Sequence, residues 1–414
     1  MSDDSGWGEE ERRLFMLIKQ SLMSRTSNGT EKPGEAHGLR SFTQTCVPKL
    51  AARTLQSVSD TRLHDLPLDW DRFIGYAVEG GVAPMVYAGL QEDEGDIPAE
   101  VISRLHGFYV LAAAENMAYL RYAREIFSLC KDENIDVIAL RGINFASTLY
   151  PDPALRPLSD IDLLVRPQQM DQLVAVLTLL GYWNIPGHLH QWTNAKVVVD
   201  VHTDLVGGDR ISARRRAVDI NMDAVWASST LSGAVDGEIR KLAWEDEVLT
   251  CSLHAIKHSC DRILWFADIA LMIGDRTPED WHRLMDRARQ FKLEKPAYYA
   301  FTYLQRTIGV STPDHVLETL HPSQAGWLEG RCMTRVMAGK QMGRFGELFT
   351  LFMMDHITDK WAFIIETCFP QRDVLEQAYG PMASGRSFTR LKRIWHIADM
   401  AYNVIKQGSQ RKRS

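Results

Sequence analysis

Between residues 133 and 245 the apolar residues of this 414-residue chain change period, and no other feature constrains its fold more tightly. On either side the pattern is helical. "DIPAEVISRL" places Pro98 at a first helical position with Glu100 just inside it, and the pattern runs on through "FYVLAAAENMAYLRYAREIFSLC" until the polar "KDEN" ends it. Then "IDVIAL", short and rich in β-branched residues, predicts a buried strand. Gly142 and a short helix, "INFASTLY", follow, and "PDPALRP" makes a long turn. "SDIDLLV" predicts a second strand, and Pro167 opens the helix "QQMDQLVAVLTLL", which Gly181 ends. "HLHQWTNAKVVVDVHTDL" predicts a hairpin turning at Asn194-Ala195, and "GEIRKLAW" a further strand; from 246 the pattern is helical again. Strands confined to the middle of a helical chain predict an α+β core between two helical regions.

This gives four expected segments. Residues 1–40 carry a short amphipathic helix at 9–23 and the polar linker "SRTSNGTEKPGEAHG"; 41–132 are helical; 133–245 form the core; 246–414 form a helical domain with a basic tail. The net charge of −6 argues against a polyanion as the default partner, so nucleic acid is not expected. The six cysteines are scattered without a C-x-x-C pair, as suits a reducing cytoplasm. The acidic start "MSDDSGWGEEERR" is not a secretory leader, and no apolar run approaches the ~18 residues that span a bilayer, so a soluble cytoplasmic protein is expected. Near the C-terminus, residues 386 to 413 hold eight Lys/Arg against one acid, Asp399, with Leu391, Ile394, Trp395, Ala398 and Tyr402 on one helical face. That helix is read either as a packing helix with a basic tail or as a surface for an acidic partner or a membrane.

The chemistry concentrates in the second strand. Side chains two apart on a strand share a face, so Asp160 and Asp162 stand side by side at the start of an apolar segment. Two adjacent carboxylates repel and resist desolvation, and a shared cation turns that cost into a site. Asp200, with His202 on its face, brings a third carboxylate from a neighbouring strand, and Gly142 makes a strand-to-helix turn 18 residues before Asp160. Three carboxylates and a glycine turn suit nucleotidyl transfer: divalent ions neutralise a triphosphate while an acceptor hydroxyl attacks the α-phosphorus. Mg²⁺, a hard ion that shares its sphere with phosphates, is the expected cofactor, with Mn²⁺ as the alternative. A glycine lets the backbone approach a phosphate, and the helix N-terminus after it favours an anion.

"LRGINFASTLYPDPALRPLSDIDLLVRPQQMDQLVAVLTLLGY" followed by "VVVDVHTDL" resembles the uncharacterised nucleotidyltransferase family of the DNA polymerase β-like superfamily, whose core reads roughly Leu-Lys-Gly, Tyr-Pro, Arg-Pro-x-x-Asp-x-Asp and a later Asp-Leu-His. The likeness reaches "CSLHAIKHSCDRILWFADIALMI" and "DWHRLMDRARQFKL". It implies a polymerase β-like core, a small mixed sheet with flanking helices. It further implies Asp160 and Asp162 as metal ligands, and Asp200 as the third carboxylate and base. The chain departs from the pattern twice. Gly142 is followed by Ile143 where the superfamily has serine, leaving Asn144 or Ser147 as substitutes for the phosphate grip. Arg141 stands where the family often has lysine; it keeps the charge and can fork onto phosphate.

Further nucleotide-binding candidates are Arg156, Ser159, Lys257 and His258. Each has a plainer reading: Arg156 pairing with Asp152 or Asp160, Ser159 as a turn residue, and the helix of "HAIKH" packing in the core. Asp268 is read as a packing partner for Arg262 or His258. The leading expectation is a metal-dependent transferase that moves a nucleoside monophosphate from an NTP, ATP by default, to a small-molecule, sugar or peptide acceptor. The alternatives are a non-catalytic nucleotide-sensing protein and a toxin-like nucleotidyltransferase acting on tRNA or protein.

Overall fold

Seven strands form one mixed sheet in the order β3-β4-β5-β2-β1-β7-β6. They are β1 (Val137–Ala139), β2 (Ile161–Val165), β3 (Trp183–Asn184), β4 (Gln191–Thr193), β5 (Val198–His202), β6 (Thr230–Ser232) and β7 (Ile239–Lys241). This computed structural model describes residues 69–91, 97–186, 188, 190–208, 211–232, 239–274, 276–322, 326–337, 347–369 and 375. The helix expected at 9–23, the linker after it and the basic C-terminal helix lie outside the described residues.

The expected strands form, and the hairpin turns where its residues require. Asn194 accepts backbone N–H bonds from Lys196 and Val197 through its side chain, and Ala195 takes φ 67°. β4 and β5 pair antiparallel, while β2 runs parallel to β5 and antiparallel to β1. The short strands β3 and β6, each paired antiparallel to a neighbour, widen the sheet at its two ends beyond what the sequence pattern predicted.

Three helices precede the sheet: α1 (Trp70–Glu79), α2 (Ala83–Leu90) and α3 (Ala99–Asp132). Uninterrupted by proline across 34 residues, α3 is long enough to buttress both cores. Its buried Asn116 donates to the carbonyls of Pro153 and Arg156 and accepts from the Leu158 N–H. One turn on, the Tyr119 hydroxyl donates to the Ser159 carbonyl. Two side chains on one helix stripe thus fix the loop that delivers Asp160 to β2.

Between and after the strands come α4 (Arg141–Thr148), α5 (Met170–Leu179), α6 (Met222–Ser228), α7 (Trp244–Lys257), α8 (Ile263–Ile273), α9 (Pro278–Phe291) and α10 (Glu294–Tyr303), followed by further helices to Cys368. Strand alternation divides the apolar residues between two cores. Ile161, Leu163 and Val165 join Val199, Val201 and the second half of α3 on one face. Leu164 and Ile138 join the helical core of α1, α2, α7 and α8 on the other. Asp160 and Asp162 share the second face, so they look toward α7.

Candidate active site

Asp162 and Asp200 are direct register partners on the parallel strands β2 and β5. Adjacent strands lie about 4.8 Å apart, so both carboxylates project side by side from one face. Asp160 is two residues earlier on the same face, and His202 two residues after Asp200. The ligand atoms of Asp162, Asp200 and His202 all lie within 4.8 Å of one another, a group one cation can span. The four side chains open into a cavity of about 580 Å³ between the sheet and α7.

The carboxylates differ electrically because their neighbours differ. Burial and the adjacent Asp162 charge push the Asp160 carboxyl up to about 6. Burial also acts on Asp162, yet the Arg141 guanidinium and His202 outweigh it and hold that carboxyl well below the ordinary range. Arg141 Nε is 3.3 Å and Nη2 3.2 Å from the two Asp162 oxygens, while His202 Nε2 is 2.8 Å from Oδ1. His202 responds in kind: burial pulls it down, but its hydrogen bond to Asp162 raises it overall. Gln191 Nε2 reaches Asp200 at 3.4 Å.

Arg141 holds its place at a backbone cost. Its φ is 42°, in the left-handed region that non-glycine residues seldom adopt, a strain of order 1–3 kcal/mol. The glycine expected to make this turn, Gly142, is instead the second residue of α4. Its lack of a side chain serves packing: a Cβ there would meet Arg156 Nη1 at 2.9 Å and Leu158 Cδ2 at 3.2 Å. Arg141 also reaches the far wall, with Nη1 3.0 Å from His254 Nδ1. Burial and that guanidinium keep His254 well below its usual range, hence a neutral acceptor.

The far wall is basic. Lys257 and His258 end α7, where Ser259 and Cys260 turn the chain through left-handed conformations, and Arg214 and Arg262 line the same cavity. His258 is pushed down to about 4 by burial and by Lys257, Arg141, Arg214 and Arg262, so it is a neutral ring among four cations. Trp265 packs edge-on against His254, ring centroids 4.7 Å apart, and closes this end with an aromatic surface.

Arg141, Gly142, Arg156, Ser159, Asp160, Asp162, Asp200, Lys257 and His258 all line this one cavity, whereas Asn144, Ser147 and Asp268 do not. Asn144 is buried below it and donates to Glu247 Oε1 at 2.6 Å, so it cannot replace the missing serine. Ser147 is spent on the backbone carbonyls of Ile143 and Asn144. Arg156 pairs with neither Asp152 nor Asp160: its Nε and Nη2 fork onto Asp268 at 3.0 and 2.8 Å, and the Tyr150 hydroxyl donates to the same carboxylate. Asp268 thus serves Arg156, not Arg262 or His258. Ser159 donates to Asp160 Oδ1 at 3.2 Å. His188, His190 and Arg214 also line the cavity without being assigned to it from the sequence: the two histidines come from the irregular segment before β4, and Arg214 from the 3-10 helix Ser212–Arg216.

Among the described residues no helix is long and apolar enough to cross a membrane. No curated protein and no solved structure matches the chain. Residues 67–309, which hold the whole of this cavity wall, match the profile described as uncharacterised nucleotidyltransferase. With an acidic sheet face set against a basic helix end and that match across more than half its length, the chain belongs to this nucleotidyltransferase family.

Proposed function

We propose that the protein is a metal-dependent nucleotidyltransferase that moves a nucleoside monophosphate from an NTP to an acceptor hydroxyl and releases pyrophosphate. The observation that carries this reading is the register of Asp162 with Asp200 on parallel strands, with Asp160 on the same face and a cavity in front. The donor set fits divalent cations: carboxylates from two strands, close enough to share an ion. Asp160, Asp162 and Asp200 would hold Mg²⁺ or Mn²⁺, which when bound neutralises the triphosphate and polarises its α-phosphorus.

The chain's own residues account for the rest. Arg141 stands between the carboxylates and the basic wall, placed to follow the phosphates from one to the other. The N-terminus of α4, at Arg141 and Gly142 on the cavity wall, favours an anion there. Lys257 at the end of α7 adds a cation for the β- and γ-phosphates, and neutral His258 with Trp265, the rings tilted 50° to one another, gives an aromatic wall for a base. Asp200 takes the proton of the acceptor hydroxyl as its oxygen bonds to the α-phosphorus, and the bond to the β-bridging oxygen breaks. Arg156 positions: clamped on Asp268, it packs against Gly142 and so supports the start of α4.

One observation favours a second reading, a nucleotide-sensing protein without turnover. The turn lacks its serine, and both nearby substitutes are engaged elsewhere. Thermal shift and pyrophosphate release with each of the four NTPs, with and without Mg²⁺ or Mn²⁺, separate the two. The transferase reading expects metal-dependent stabilisation by an NTP and pyrophosphate release with a suitable hydroxyl acceptor, both lost in Asp160→Asn/Asp162→Asn. Metal-independent stabilisation without pyrophosphate release would establish the sensor instead.

A further inference from the structure

His202 projects from the same face as Asp200, and its ring nitrogen aims between two carboxylates. Nε2 lies 2.8 Å from Asp162 Oδ1 and 3.9 Å from Asp200 Oδ2. Ligands bound about 2.1 Å from one ion stand about 3.0 Å apart when adjacent in an octahedron and about 4.2 Å apart when opposite. The spacings of Nε2 to both oxygens fall at or near this range, as do those of a single coordination sphere. Resting on the transferase reading, we infer that His202 is itself a metal ligand, and that the Asp162–Asp200–His202 site selects a divalent first-row transition ion over Mg²⁺.

The register supplies the reason. His202 is paired with Leu164, so beyond Asp162 strand β2 offers this face an apolar side chain and no third oxygen. The next donor the sheet provides is a nitrogen. Mg²⁺ demands oxygen and binds imidazole poorly, whereas mixed nitrogen–carboxylate sites bind transition ions in rising order from Mn²⁺ to Cu²⁺. Asp162 has no need of His202 merely to be oriented, because two nitrogens of Arg141 already hold its two oxygens. Asp160 stands outside the close group, which leaves it as the all-oxygen ligand for an ion that arrives with the nucleotide.

The test is Mn²⁺ binding to the full chain without nucleotide, followed by electron paramagnetic resonance and electron spin-echo modulation. The expected result is nitrogen modulation from a directly bound imidazole in the wild type, altered by ¹⁵N-histidine labelling and lost in His202→Gln. Competition should show Mn²⁺ held about tenfold or more tighter than Mg²⁺, a preference that His202→Gln removes. Melting curves report whether the variant folds, and the labelled wild type answers the question without it. Bound Mn²⁺ that disappears in Asp162→Asn but shows no nitrogen modulation would overturn the inference and leave the transferase reading standing. No Mn²⁺ binding at all, with or without an NTP, would overturn both.

Discussion

Two carboxylate environments in this protein, one around Asp268 and one around Asp160, Asp162 and Asp200, are built on opposite terms. Asp268, almost wholly buried, receives two nitrogens from Arg156 and a hydroxyl from Tyr150, and Arg156 lies over the Phe145 ring. In front of the Arg141 turn, Asp160, Asp162 and Asp200 stay partly exposed along a cavity, with one carboxyl held low and its neighbour raised. The Asp268 cluster satisfies its charge internally and supports the start of α4; the cavity cluster leaves charge facing a space where an outside cation and anion fit. Identical residue types serve structure or chemistry according to whether the fold supplies their counter-charge.

The strongest way to break this comparison is to neutralise one member of each cluster. Asp200→Asn should lower pyrophosphate release by about 10³-fold or more, since several kcal/mol of charge stabilisation vanish, while thermal melting changes little because among the described residues only Gln191 hydrogen-bonds its carboxylate, at 3.4 Å. Asp268→Ala should do the reverse. It strands a buried guanidinium and should cost about 3–5 kcal/mol in urea unfolding, with the active fraction falling only as the fold does. Equal melting losses in the two variants would erase the distinction between them.

A further carboxyl, Glu247, sharpens the comparison because it is buried like Asp268 yet lacks a forked cation among the described residues. It accepts from Asn144, and burial pushes it up to about 8 from the 4.5 of a free glutamate. The folded state therefore holds this proton more tightly than the unfolded state. The stability it confers is complete below pH 4.5 and is lost as pH rises through about 8. Glu247→Gln keeps the acceptor for Asn144 and removes the penalty. It should gain on the order of 3 kcal/mol at pH 7 and flatten the decline in urea stability between pH 5 and 9. A variant whose stability tracks the wild type across that range would show that Glu247 is charged in the fold.

Much of the cavity cluster could be read from residue order. Asp160 and Asp162 share a face because strand side chains alternate, and Asp200 pairs with His202 for the same reason. The hairpin turn at Asn194-Ala195 and the helix ended by Gly181 follow from local chemistry, and both stand where expected. The Asp268 cluster could not be read that way. Arg156 and Asp268 are 112 residues apart, and Asn144 and Glu247 are 103 apart, with no periodicity linking either pair. The sequence leaves Arg156 open between a nucleotide contact and a pair with Asp152 or Asp160, because chain proximity says nothing about which way a long side chain turns; the partner is Asp268.

By itself, then, the sequence determined the order of strands and helices, the face each aspartate occupies and the family to which the chain belongs. These are properties of local period and spacing. The tertiary structure alone decided that Asp162 stands level with Asp200, that Arg141 rather than Gly142 takes the left-handed turn, and that His202 joins the carboxylates while Asn144 leaves them. Those outcomes depend on strand register and on packing across a hundred residues. There the energy of a contact depends on a partner that no local window of the chain contains.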